Sequence, residues 1–97
     1  MTAKEKIYYL LVQYQKGEYD TNTFCDQFTV IYDIEVDYDT LSKVENQLFY
    51  DLSTITARFS PYEEDLKVPN VYYSEQEVKS KVDEVMKKLL QDTVEWT

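Results

Sequence analysis

Apolar residues recur at helical spacing in four stretches of this chain. In the first, Ile7, Leu10, Leu11 and Tyr14 fall at i, i+3, i+4 and i+7, which places them on one face of an amphipathic helix. Thr2 and Glu5 precede them in the spacing of a capping box. Gly17, the only glycine, sits where a left-handed residue would close that helix. The second stretch starts at Asp20 or Thr21 as N-cap and lines up Phe24, Cys25, Phe28, Ile31 and Tyr32. The third carries the longest stripe, Leu41, Val44, Leu48, Leu52, Ile55 and Phe59, with Asp39 as N-cap and Pro61 as the stop. All six are expected to be buried. The fourth opens on Ser74 and Glu77, a second capping box, and turns Val78, Val82, Val85, Met86 and Leu89 inward. Mostly short connections predict one all-α domain over residues 1–97, an antiparallel four-helix bundle.

Two connections do not fit the helical period. Residues 60–73, "SPYEEDLKVPNVYY", hold both prolines and read as a long irregular link, and links of that length in a compact domain are often functional. Residues 32–39, "YDIEVDYD", alternate apolar and acidic positions between the second and third helices. That alternation also fits a short extended piece.

The charge of these segments changes the picture. Residues 18–65 carry twelve carboxylates against Lys43 and Arg58, while the remaining residues nearly balance, so the net charge of −9 is concentrated in the middle of the chain. Such an asymmetry bears on association rather than on fold. It disfavours nucleic acid and anionic membrane as direct ligands, because both need cationic surface. It favours a basic protein partner. With 43% hydrophobic residues the chain can still build a core.

The residues bear on four chemistries. A calcium loop beginning at Asp33 requires Gly at its sixth position and Glu at its twelfth, where this chain has Tyr38 and Val44. With no His and one Cys, a transition-metal site lacks donors, so no metal or cofactor is expected. Cys25 has no histidine to act as its base and reads as a small core residue. "DLS" at residues 51–53 has the wrong order, and sits mid-helix, for the prosthetic-group serine of an acyl carrier protein. No enzyme is expected. The single cysteine, the lack of an 18-residue apolar run and an N-terminus without a small-residue cleavage site read as a cytoplasmic domain.

The order and spacing of several short motifs carry a resemblance. "KGEYDTNTF" follows the first helix, "LFYDL" lies in the third, "RFSP" runs into an acidic loop, and "SEQEVKSKVDEVMKKL" forms the last helix. Over most of its length the chain resembles the colicin D-type immunity proteins, including those of contact-dependent inhibition systems. It departs from that pattern in the length of helix three before "RFSP". The resemblance implies a four-helix protein that binds a cognate tRNA-cleaving toxin domain one to one and covers its basic active site. Acidic groups would stand where RNA phosphates lie. Carried onto this sequence, the toxin contacts are Tyr62, Glu63, Glu64 and Asp65, with Asp51 in addition. Asp33, Glu35, Asp37 and Asp39 would form an acidic rim that steers the partner. Two other classes share the composition: a nucleic-acid mimic acting on a DNA-binding protein, and a small acidic adaptor read through an apolar groove.

Overall fold

The computed structural model describes residues 1–68 and 71–95, with side chains described through residue 91. The fold is all-α. Helices α1 (Ala3–Gln15), α2 (Thr21–Val30), α3 (Lys43–Thr56), α4 (Glu63–Leu66) and α5 (Glu75–Glu95) follow in that order. Pro69 and Asn70, part of the expected link, lie outside the described residues.

Local chemistry sets the helix ends. Thr2 and Glu5 exchange both bonds of a capping box at the start of α1. Its other end closes as the lone glycine predicts. Gly17 has φ +83°, its N–H donates to the Tyr14 carbonyl and the Glu18 N–H donates to the Gln13 carbonyl. That bond pair is a Schellman motif. Asp20 caps α2, its carboxylate accepting from the Thr23 N–H at 2.7 Å. Ser74 and Glu77 form the box that opens α5.

The third helix differs from expectation in start and in register. Ser42, not Asp39, is its N-cap, and Glu45 completes a capping box with it. The buried residues are Glu45, Leu48, Phe49, Leu52, Ser53 and Thr56. Leu48 and Leu52 belong to both stripes. Leu41, Ile55 and Phe59 are only partly buried at the core's margin, and Val44 is 39% exposed. The cause is the neighbour that Glu45 meets: Tyr8 of α1 donates its hydroxyl to the Glu45 carboxylate, and Lys4 pairs with it at 3.0 Å. Turning Glu45 toward α1 brings Phe49 inward, where its ring meets Tyr8 edge-on at 5.7 Å, and swings Val44 out.

One core joins α1, α2, α3 and α5. Helix α5 packs chiefly on α3 and also on α1, while α2 packs on α1 and α3. An aromatic ladder runs through it. Tyr14 stacks on Phe24 at 4.3 Å, Phe24 meets Phe28 at 5.7 Å, and Phe28 continues to Tyr32 and Phe49. Such pairs add to simple area burial.

Neither connection is structureless. After α2 the chain makes a π-helical turn, Ile31–Glu35, closed by the Val36 N–H on the Ile31 carbonyl at 2.8 Å, then a 3-10 turn at Tyr38–Thr40. The extended reading of residues 32–39 is therefore replaced by two helical turns joined at Val36, which is buried. The link after α3 contains the single turn α4 and an isolated parallel bridge between Phe59 and Tyr73.

Candidate protein-binding surface

The expected contact residues divide among three places. Tyr62, Glu63, Glu64 and Asp65 form and cap the α4 turn just beyond α3. Ser60, itself buried, organises it: its hydroxyl donates to Asp65 at 2.7 Å and accepts from the Tyr62 N–H at 3.2 Å. The Ser60 N–H donates to the Tyr73 carbonyl, and the Tyr73 N–H to the Arg58 carbonyl, tying the turn to the entry of α5. Glu63 and Glu64 are exposed, and Tyr62 is 68% exposed. Asp65 is half-buried and engaged with Ser60, so it is a local brace as well as a charge.

The four acidic residues of the second connection do not share one face, because the segment is not a strand. Glu35 turns toward α1 and pairs with Lys6 at 3.1 Å. Glu35 and Asp37 line a hollow of about 370 Å³ with Thr2, Ala3, Lys4 and Thr40. Asp37 also caps the 3-10 turn, accepting from the Asp39 N–H at 3.0 Å. Asp33 is exposed and has no lysine or arginine partner among the described residues.

Tyr32, the residue before Asp33, meets α3 through its hydroxyl. Tyr32 is buried, and its hydroxyl donates to the Asn46 side-chain oxygen on α3 at 2.8 Å. Burial pushes that phenol up to about 12, and nearby Tyr38, Asp33, Tyr50 and Asp51 push in the same direction. The Tyr38 ring packs 5.2 Å from Tyr32, and its hydroxyl donates to the Tyr32 carbonyl. Tyr50 stands one turn beyond Asn46 on α3. Asp51 accepts from the Gln47 amide at 3.0 Å. Asp51, expected with the loop, thus lies on α3 beside Tyr50, one turn from the Asn46 that holds the hydroxyl of Tyr32. That placement was legible in "LFYDL": with Phe49 and Leu52 inward, Tyr50 must project outward.

Most carboxylates of the middle segment have no internal counter-charge. Of the twelve in residues 18–65, only Glu35 and Glu45 pair with a lysine among the described residues; the other pairs lie within α5. Cys25 is 2% exposed, and burial, then Asp26, pushes its thiol up to about 12. It is a packing residue rather than a nucleophile. Among the described residues no group of three or more His, Cys, Asp or Glu side chains is arranged to hold a metal ion, and no helix is long and apolar enough to cross a membrane.

No protein-family model, curated protein or solved structure matches this chain.

Proposed function

We propose that this chain is an immunity protein that binds a basic, tRNA-cleaving toxin domain one to one in the cytoplasm and blocks its active site. In this reading the four longer helices form an antiparallel bundle that serves as a rigid frame, and the protein performs no chemistry of its own. The observation that carries it is the unpaired charge of residues 18–65. Like charges held close together on a folded surface cost stability, and that cost is recovered when a cationic partner neutralises them. A ribonuclease cleft concentrates lysine and arginine to attract a polyanion, so carboxylates can occupy the same field and exclude the substrate. Tyr62, Glu63, Glu64 and Asp65, presented on a turn braced by Ser60, enter the cleft. Asp33 and Asp51 widen the contact, and Asp37 and Asp39 steer.

Cleavage of tRNA by whatever product is encoded immediately upstream, titrated with this protein, tests the reading. Inhibition saturating at one equivalent, with an association rate falling steeply as salt rises, is the expected result. Undiminished cleavage at excess protein rules the reading out. Inhibition of a DNA-binding protein instead would favour the nucleic-acid mimic, and binding indifferent to salt the adaptor.

A further inference from the structure

Asp26 and Val30 lie one turn apart on α2 and are both exposed, Val30 over 49% of its surface. Two hollows share this pair as a common edge. One, of about 490 Å³, opens toward α1 and the π-helical turn and is also lined by Lys6, Ile31 and Glu35. The other, of about 310 Å³, opens toward the end of α3 and is also lined by Thr29, Thr56, Ala57 and Phe59. The pair is thus a ridge with a recess on either side. Ile34 is more exposed still, at 77%, yet it borders neither hollow.

Bonds between elements fix both recesses. Lys6 and Glu35 pair at 3.1 Å in the first, and the hydroxyls of Thr29 and Thr56 meet at 2.8 Å in the second. Walls already ordered in this way lose little freedom on binding. The second recess reaches Phe59, whose neighbour Ser60 braces the α4 turn. The ridge therefore adjoins the surface assigned above to the partner.

The chemistry of the ridge selects its occupant. Val30, with Ile31 and Phe59 lining the recesses beside it, offers apolar surface. Asp26, about 6 Å away along the helix axis, offers a carboxylate with no Lys or Arg within 4.0 Å among the described residues. Lys6 cannot serve it, being paired with Glu35. A second copy of this chain would bring its own net charge of −9 against the same carboxylate. A segment of a basic protein supplies both an aliphatic side chain and a cation at that spacing. An apolar anchor within a charged surround is also the usual make-up of an interface centre.

We propose that the Asp26–Val30 ridge of α2 docks a segment of the basic protein partner, which sets an aliphatic side chain against Val30 and a lysine or arginine on Asp26. The inference rests on the reading above for the partner's class. It adds an apolar anchor, on a helix that charge alone does not single out, to the carboxylates of the α4 turn.

The full chain, isotope-labelled, is titrated with two blocked peptides of equal length and charge and followed by nuclear magnetic resonance. One alternates lysine with leucine, the other lysine with glutamine. The leucine peptide should bind roughly three- to tenfold more tightly, part of the gain from fully burying a leucine, and should shift the signals of Asp26, Val30 and Phe59. Val30→Ser should abolish the preference while Val30→Ile and Ile34→Ser keep it, and the same spectra report whether each variant is folded. Asp26→Asn should weaken both peptides, by less in high salt. Equal affinity for the two peptides, shifts centred on Tyr62 to Asp65, or a loss at Ile34 as large as at Val30 overturns the proposal. Broadening of the ridge signals with protein concentration alone gives the site to a second copy and overturns it too. Failure here with inhibition of tRNA cleavage intact removes the ridge and leaves the immunity reading. A leucine preference at the ridge with cleavage undiminished removes the immunity reading and leaves the ridge as a dock for a basic protein of another kind.

Discussion

Glu45 illustrates how one carboxylate can set the register of a helix. Burial disfavours its charge. The Ser42 backbone N–H, the Tyr8 hydroxyl and Lys4 outweigh that cost and hold its pKa below the ordinary 4.5. A depressed carboxylate contributes stability above its unfolded pKa and loses it as pH falls through the folded one. Glu45→Gln should therefore cost about 1–3 kcal/mol near neutral pH, as expected for loss of charged hydrogen bonds. The gap to wild type should close progressively below about pH 4.5. Urea unfolding at a series of pH values checks this, and a gap that stays constant into acid would mean that the charge is not what matters at Glu45. Tyr32 and Cys25 make the complementary point: burial raises both, so neither titrates near neutrality.

At the scale of elements, α1, α2 and α5 were legible because two independent signals agreed in each, a cap and an apolar stripe. In α3 they conflicted. The stripe through Leu41, Val44 and Ile55 satisfied the spacing, but Ser42 and Glu45 already spelled a capping box that starts the helix later. Spacing alone cannot choose between two interleaved stripes that share Leu48 and Leu52; the contact of Glu45 with Tyr8, 37 residues away, does. Leu52→Ala should then cost ~2–5 kcal/mol and Phe49→Ala ~3–5 kcal/mol, whereas Val44→Ala should stay within about 0.5 kcal/mol. Chemical denaturation separates the registers, and a Val44 loss as large as that of Leu52 would restore the first. The α4 turn was hidden by its length of four residues, too short for any period to register. The role proposed for it has its own test: if the chain inhibits a toxin as proposed, replacing Glu63, Glu64 and Asp65 together with alanine should weaken that inhibition more than replacing Asp37 and Asp39, whose effect should fade in high salt. The opposite ranking in the cleavage assay would move the anchor to the second connection.

For the molecule as a whole, charge was the most legible property and the grouping of charges the least. Composition gives the acidic middle directly. That Glu35 belongs with Lys6, and Asp37 with the 3-10 turn it caps, follows only once the chain after α2 is seen to wind into a π-helical turn. The same packed interior supplies a gauge of its own integrity. Cys25, the only cysteine in the chain, is buried at the edge of the core with its proton held tightly. With so little surface it should react mainly in molecules that have opened, so the pace of labelling follows those openings without any engineered probe. Leu52→Ala should quicken labelling by roughly thirtyfold or more. An unchanged pace would mean that the reagent enters by a local breach beside α2. A bound partner should slow it by the factor that its concentration over its dissociation constant dictates, so one sulfur atom can report both the life of the fold and the grip of whatever holds it.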